Sequence, residues 1–493
     1  MSEEHLVYRK ILRATTIFGG VQGITIISTL VKSKVLAILI GTSGYGIYGV
    51  LNTIVDLIKQ VSGLGIETSG VKFLADLDEN ADKSDYQRNS SLILKLSFLL
   101  GFIGMLIAII FSPFLSFLVY KQMSKWYIFI FISIAILFKQ LVSSNNAIFQ
   151  GSDKLLFLAK SNLYSNLVGL IFTLPLFYFF KTDAIVLSIV IISLINFVIS
   201  YFYIKKLNLV QHKIKILQSF FEGREMLRFG SLFVIMSFLP LLVNFLIQLI
   251  INYKDGLHVV GLFNVSIVVL NTYVGFVFSI MSTEYYPRLI KAIKSNSIIS
   301  KTVSQQIIVS ILLVVPVIVF FIAFGNLIIK ILFSEKFVEI IAMLNWAMLG
   351  MFFKSISFSI GYIFIAQADS KIFTKTSIIF NTLYFVLLYF GYQFRGLEGL
   401  GIAISSYYFF HLLTIYIIAK RRYFLEIDKD VVIIAFSGFT FCILALLFKL
   451  LIRNNFYYLL VLFLIASSLS IYKLSKLISI NDFFKRKNND KAI

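Results

Sequence analysis

The chain has 493 residues, of which 59% are hydrophobic and only 14% are charged, and its formal net charge is +21. This composition leaves too little polar surface for a soluble protein of this length, so it predicts a polytopic membrane protein. Because apolar segments punctuate the whole chain, the basic excess excludes a separate nucleic-acid-binding domain. The single cysteine, Cys442, lies in an apolar run and excludes both a disulfide framework and a cysteine metal site.

Apolar windows of about 20 residues recur along the chain and predict an all-α fold with about fourteen transmembrane helices. The windows lie near residues 14–40, 45–66, 91–118, 127–149, 155–180, 184–204, 229–252, 258–282, 304–328, 338–366, 373–393, 398–419, 431–452 and 456–475. The first window follows a polar start and continues into the polytopic pattern without a cleavage signal, so it predicts an uncleaved first span.

Lysine and arginine are unevenly distributed among the connections between these windows. If the amino terminus is cytoplasmic, the connections on that side carry most of the 45 Lys and Arg residues. The positive-inside rule therefore predicts that both termini and the two longest connections, 67–90 and 205–228, are cytoplasmic. These connections are short for a catalytic domain, and no G-x-x-x-x-G-K-[ST] phosphate loop is present, so we expect no ATP hydrolysis by this chain.

The first half of the sequence matches the second half locally when it is shifted by about 215 residues. The matching pairs are Gly46-Ile-Tyr48 with Gly261-Leu-Phe263, Asp56 with Asn271, and Phe138-Lys139 with Phe353-Lys354. Six helices separate each pair, so the halves insert in the same direction about an axis along the membrane normal. We predict a six-helix half over 1–210, another over 211–425, and two extra helices with a basic tail over 426–493. The substrate is expected in a central cavity between the halves.

Residues 11–78 carry ionisable side chains where hydrocarbon is expected. Counted from Gly41 at about 1.5 Å per residue, Lys32 lies roughly 13 Å deep, and Asp56 in the second helix lies at a similar depth. Polar residues of the second helix recur at steps of three and four and so share one face: Asn52, Asp56, Lys59, Gly63 and Glu67. Such a face is expected to line a water-filled cavity or a helix interface.

The charges inside the predicted spans are mostly positive. One carboxylate, Asp56, is opposed by five lysines: Lys32, Lys34, Lys59, Lys139 and Lys354. A cationic cavity suits a compact anion such as pyrophosphate, whereas a cationic drug requires an acidic pocket. The alternatives are that each lysine snorkels or pairs within its own half, and that Asp56 and Lys59 neutralise each other at i, i+3.

These charges lead to the predicted site residues. Substrate binding is predicted for five residues: Lys32, Lys59, Lys139, Lys354 and Asn271. Asp56 and Glu67 are predicted to tune charge or couple an ion, although a helix-end position explains Glu67 equally well. Arg13 and Lys34 are predicted at the cavity mouth. We predict no catalytic residue, metal or cofactor, and expect energy from a proton or sodium gradient or from removal of the product.

Twelve helices in two same-direction halves, two further helices and the turn Gly44-x-Gly46-x-Tyr48 resemble the polysaccharide flippases. These belong to the multidrug/oligosaccharidyl-lipid/polysaccharide exporter (MOP) superfamily. The resemblance implies a bacterial inner-membrane flippase that moves an undecaprenyl-pyrophosphate-linked oligosaccharide, such as an O-antigen or capsule unit, to the outer leaflet by alternating access. It also implies a polysaccharide polymerase and chain-length proteins as partners, besides membrane lipids.

The lipid II flippases of this superfamily carry a cavity arginine at a position that matches Lys32 here. Ser33 stands where an acidic residue follows that arginine, so the resemblance favours a polyprenyl-linked glycan other than the peptidoglycan precursor. Two alternatives stay open: a multidrug cation antiporter of the same fold, and a membrane O-antigen polymerase or glycosyltransferase. Short outer connections with scattered acidic residues count against the enzyme.

Overall fold

The computed structural model describes residues 23–25, 27–77, 83–207, 216–293, 295–367, 369–452 and 455–477. Within these ranges the chain is almost entirely helical and contains no β-strand, which confirms the predicted all-α fold. The chain divides into two compact units. The first comprises Met1–Asn264 with Leu332–Ser334, and the second comprises Val265–Ile331 with Glu335–Ile493.

The apolar runs of the first unit form helices α1 to α10 and the start of α11. They are α1 (27–39), α2 (Gly41–Ser62), α3 (Ile66–Ala75), α4 (Lys83–Ile110), α5 (Ser112–Tyr120), α6 (Trp126–Gly151), α7 (Leu155–Phe180), α8 (Ala184–Lys206), α9 (Ile216–Glu222), α10 (Arg224–Asp255) and α11 (Leu257–Val268). Side chains of α3, α4, α6 and α10 meet in its core, which includes the buried Ile93, Leu96, Ile148 and Phe149.

The second unit contains the helices that follow α11. They are α12 (Gly275–Ala292), α13 (Asn296–Leu332), α14 (Ile341–Ala366), α15 (Ser370–Tyr423), α16 (Lys429–Leu451) and α17 (Phe456–Leu477). A π-helical segment, Val269–Val274, joins α11 to α12. α15 bends at Arg395 and Gly396, where the φ of Gly396 is 55°, so it consists of two helices that meet at a kink.

Ten helical segments among the described residues are long and apolar enough to cross a membrane. Two of them, Leu155–Lys206 and Ile372–Tyr423, are each 52 residues long. This is more than twice the ~20 residues that one crossing needs, so each supplies two crossings. With α1 and α2 in addition, the helices are consistent with the predicted number of about fourteen.

The second predicted helix is broken, which corrects the expectation of one continuous polar face. Residues Gly63–Gly65 separate α2 from α3, and the φ angles of Leu64 and Gly65 are 46° and 67°. This left-handed conformation interrupts a helix and favours glycine. A Cβ atom on Gly65 would also overlap the carbonyl group of Gly230 in α10. Glu67 therefore lies on α3, beyond the break.

α2 and α11 cross at glycines that the sequence repeat pairs. A Cβ atom on Gly46 would overlap the carbonyl oxygen of Leu257, and one on Gly261 would overlap that of Thr42. The 215-residue shift turns Gly46 into Gly261 and Thr42 into Leu257, so the two contacts are equivalent in the repeat, which is the reciprocity expected of elements related by a two-fold axis. The boundary between halves near residue 210 stays a prediction. The first compact unit extends to Asn264 because α10 packs against α2 and α3.

Candidate functional site

A polar row on α2 is the centre of the candidate site in the first unit. Tyr48, Asn52 and Asp56 follow one another at steps of four residues, so they share one face of the helix. The Asn52 amide donates to the Tyr48 carbonyl oxygen at 3.0 Å. We call these three residues the α2 polar row. Lysines from two other helices bind to it.

Lys139 of α6 binds one end of the α2 polar row. Its ammonium donates to Asp56 Oδ1 at 2.8 Å and to Asn52 Oδ1 at 3.3 Å. The side chains of Lys139 and Asp56 are 26% and 43% exposed, so the pair is accessible from outside the core. Asp56 therefore pairs with Lys139 across two helices, and not with Lys59 on its own helix as the alternative reading supposed.

Lys32 of α1 binds the other end of the α2 polar row. Its ammonium donates to the Tyr48 hydroxyl at 2.8 Å and lies 5.3 Å from the centroid of the Tyr48 ring. The sequence predicts Lys32 level with Asp56, but Tyr48 lies about two helical turns before Asp56. Within the described ranges no carboxylate pairs with Lys32, so no acidic side chain there offsets its positive charge.

Lys59 and Glu67 form a second ion pair, which bridges the break between α2 and α3. Lys59 Nζ lies 3.1 Å from Glu67 Oε2, and the two side chains are 17% and 43% exposed. A cavity of about 270 Å³ adjoins this pair and is also lined by Gln140, the residue after Lys139. The predicted substrate-binding and ion-coupling residues Lys59 and Glu67 thus lie together, next to the α2 polar row but not on it.

Lys354 of α14 lies in a different environment in the second unit. Its ammonium is 5.4 Å from the centroid of the Phe278 ring and 5.3 Å from that of Tyr408. Two ring faces attract an ammonium through their quadrupoles. In the part of the chain that the structure describes, no carboxylate lies within 4.0 Å of it. The matching position to Asp56, Asn271, is an exposed residue of the π-helical segment.

Residues 35–342 match the protein family described as polysaccharide biosynthesis protein. The chain belongs to this family. A comparison with curated protein sequences gave no match. The family match covers the Lys139–Asp56 and Lys59–Glu67 ion pairs and ends before Lys354.

Several solved structures share the fold of this polysaccharide biosynthesis protein. The lipid II flippase MurJ, in an inward closed conformation, is 14% identical, with a TM-score of 0.72 over 94% of this chain and 99% of that chain. A single-residue mutant of the Vibrio cholerae MATE transporter VcmN is 13% identical, with a TM-score of 0.59 over 85% and 98%. A MOP superfamily transporter from Pyrococcus furiosus is 13% identical, with a TM-score of 0.58 over 84% and 95%. The chain therefore shares the fold of these transport proteins, which agrees with the fold that the sequence predicts.

The remaining predicted positions are less informative. Arg13 lies outside the described residues. Lys34 is half-buried on α1, two residues beyond Lys32. Their predicted location at a cavity mouth stays a prediction.

The second unit of this family member also contains an apolar cavity of about 440 Å³. It lies between α13 and α17 and is lined by residues that include Leu312, Pro316, Phe320, Phe463 and Ile471. Pro316 lies inside α13 and has no backbone N–H to donate. None of the residues that line the cavity is charged. This cavity suits an apolar chain and not a headgroup.

Sequence reasoning does not single out Gln140, Phe278 or Tyr408. Gln140 follows Lys139 in an otherwise apolar run, and a second polar residue beside an intramembrane lysine is a signal that could identify it. No comparable signal exists for the aromatic residues. The chain has 52 Phe and 25 Tyr, and only the packing of α12, α14 and α15 selects the two that contact Lys354.

Proposed function

We propose that this protein moves an undecaprenyl-pyrophosphate-linked oligosaccharide from the inner to the outer leaflet of a bacterial cytoplasmic membrane by alternating access. The substrate class would be an O-antigen repeat unit, a capsule unit or a similar glycan. The observation that carries the proposal is the convergence of Lys32 and Lys139 on the α2 polar row, within helices that cross a membrane. An ammonium at this depth is unfavourable without a function, and a pyrophosphate is the compact anion that would use it.

The two lysines differ in the charge that they offer to such an anion. Lys139 is already paired with Asp56, so its net contribution is small until a headgroup competes for it. Lys32 has only the uncharged Tyr48 as a partner among the described residues, through its hydroxyl and its ring. Lys32 is therefore the primary phosphate ligand in this proposal, and the Lys139–Asp56 pair adjusts the charge.

Three further features support a lipid-linked glycan. The family is one of polysaccharide biosynthesis, and one solved structure of the same fold is a lipid II flippase. Ser33 in place of an acidic residue favours a glycan other than lipid II. The apolar cavity between α13 and α17 could accommodate part of an isoprenyl chain.

The proposal includes cytoplasmic termini, coupling to a proton or sodium gradient, and contact with a polymerase and chain-length proteins. The basic bias of the alternate connections supports the orientation. Glu67 is the group in our proposal that would exchange an ion, because it is a partly exposed carboxylate beside a cavity.

Reconstitution tests the proposal. Purified protein is placed in proteoliposomes with undecaprenyl pyrophosphate carrying one N-acetylglucosamine, and a galactosyltransferase added outside labels the sugars that reach the outer leaflet. We expect faster labelling than in protein-free vesicles. Gradient-driven uptake of ethidium without glycolipid movement would instead establish the multidrug antiporter.

A further inference from the structure

A small polar cavity lies where α2 breaks into α3. Its volume is about 270 Å³, just below the range of about 300–1,000 Å³ typical of pockets for drug-sized ligands. The polar side chains that line it are Lys59, Gln60, Glu67, Thr68, Gln140 and Ser237. The cavity exists because Gly63 and Gly65 carry no side chains and the backbone between them leaves the helical path.

Gln140 is the member of this lining that lacks a partner. The residue is 1% exposed, and its Oε1 atom has no hydrogen-bond partner within the described protein. Its amide faces Gly63, where an added Cβ atom would lie 2.5 Å from Oε1. A buried acceptor without a donor is unfavourable, and a ligand or an ordered water is one way in which such a group is satisfied. The cavity therefore borders an acceptor that has no donor within the described protein.

The charge of the cavity identifies the chemistry of a ligand. Lys59 and Glu67 form an ion pair at 3.1 Å, so their charges cancel, and the other polar side chains are neutral. An anion would meet the Glu67 carboxylate and could donate nothing to Gln140. A cation would meet the Lys59 ammonium. A neutral polyol can donate hydroxyl protons to Glu67 and Gln140 while it accepts from Lys59.

The cavity is also adjacent to the proposed phosphate ligands. Gln140 directly follows Lys139 on α6, and Lys59 lies about one turn beyond Asp56 on α2. The first sugar of a lipid-linked glycan is bonded to its pyrophosphate, so a sugar subsite must lie near the phosphate site. This placement distinguishes the cavity from a polar pocket elsewhere in the fold.

We infer that this cavity is the subsite for the first sugar residue, with Gln140 and Glu67 accepting hydrogen bonds from its hydroxyl groups and Lys59 donating one. The inference rests on the proposed function. It assigns a specificity-determining role to Gln140, which is uncharged and so differs from the lysines that bind the pyrophosphate. The pyrophosphate ligands Lys32 and Lys139 would bind every substrate alike, whereas the cavity would discriminate among sugars.

The test compares a sugar-free lipid with sugar-bearing ones on the purified full-length protein in nanodiscs, by native mass spectrometry. The probes are undecaprenyl pyrophosphate without sugar and a panel of the same lipid carrying one glucose, one galactose or one N-acetylglucosamine. Gln140→Leu removes the amide at a similar size. We expect it to weaken the best-bound sugar lipid about tenfold, since the hydrogen bond that Gln140 accepts from the sugar is lost, and to leave the sugar-free lipid unchanged.

Gln248→Leu is the matched control. Gln248 is equally buried in the same unit, but its amide donates to Thr53 and Asn264 and does not line the cavity. Its loss is expected to lower stability without a preference between the lipids. Unchanged binding of the sugar-free lipid shows that each variant is folded, and Gln140→Met, which also removes the amide at a similar size, supplies a second variant if Gln140→Leu does not fold.

The outcomes separate the two proposals. Equal loss for both lipids, or no loss for either, would overturn the sugar subsite while leaving the flippase proposal intact. Failure of the wild-type protein to bind any of these lipids would overturn both. A glycan-selective loss in Gln140→Leu alone supports the subsite.

Discussion

Lys139 and Lys354 hold matching positions in the sequence repeat but have different partners. Lys139 donates to a carboxylate at 2.8 Å, whereas Lys354 lies between the faces of Phe278 and Tyr408. At the repeat position of the carboxylate Asp56 the second half carries the neutral Asn271, so that position supplies no acidic partner for Lys354. A repeat can thus conserve a cation while changing its charge balance. The first lysine forms an ion pair with Asp56, whereas the second contacts aromatic rings and has no carboxylate partner among the described residues.

The largest expected effect comes from removing the carboxylate of the first region. Asp56→Ala leaves the Lys139 ammonium without its acidic partner. Breaking a fully buried pair costs about 3–5 kcal/mol, so we expect about 1–3 kcal/mol for this partly exposed one. The measurement is thermal melting of the purified protein.

Two variants serve as controls for this effect. Asp56→Ala combined with Lys139→Ala removes both charges and should regain much of the lost stability. Lys354→Met removes a charge that has no acidic partner among the described residues, and is expected to change the melting temperature little. A loss for Lys354→Met as large as that for Asp56→Ala would contradict the comparison.

The second prediction asks whether the two lysines serve one headgroup. If both bind the same pyrophosphate during translocation, Lys139→Ala and Lys354→Ala should each slow flipping, and the double variant should be little slower than the worse single one. Non-additivity of this kind corresponds to about 0.5–3 kcal/mol of interaction. The measurement is a double-mutant cycle on the translocation rate in proteoliposomes. Additive rate losses that follow melting temperature would show two independent structural roles.

The smallest expected effect concerns acid sensitivity at the ends of the helices. Burial raises the pKa of Asp369, but hydrogen bonds from the Ile372 N–H, Arg422 and Tyr423 outweigh it, so the pKa is lowered overall. A depressed carboxyl pKa contributes stability that is complete above the unfolded value of about 4 and is lost as pH falls through the folded value. Asp369→Asn should therefore flatten the decline of melting temperature in acid, below about pH 4.

Glu222 in the first unit provides the comparison for this measurement. Hydrogen bonds from Gln218 and from Arg88, whose guanidinium lies 3.2 Å away, likewise lower its pKa. Glu222→Gln should flatten the same part of the curve, with the same sign. A curve for Asp369→Asn that is as steep as the wild-type curve would show that these bonds do not contribute to acid sensitivity.

Much of the fold could be predicted from the sequence because the membrane imposes a length on every apolar run. The charged site residues were also identifiable, since a lysine such as Lys139 is conspicuous among hydrocarbon side chains. Their partners were not. Asp56 and Lys139 are 83 residues apart and meet only through the packing of α2 against α6. Helical periodicity instead favours Lys59, on the same helix, as the partner of Asp56. Because the helix breaks at Gly63–Gly65, Lys59 pairs with Glu67 across the break.

The central claim is that Lys32 binds the pyrophosphate of the substrate. It is tested most directly by the affinity of the nanodisc-embedded protein for undecaprenyl pyrophosphate and for the uncharged alcohol undecaprenol. A hydrogen bond to a charged group contributes about 1.5–3 kcal/mol, so Lys32→Ala should weaken binding of the pyrophosphate about tenfold or more. Lys32→Arg should retain most of the affinity, and binding of undecaprenol should not change. Wild-type affinity for the pyrophosphate in a folded Lys32→Ala variant would contradict the account.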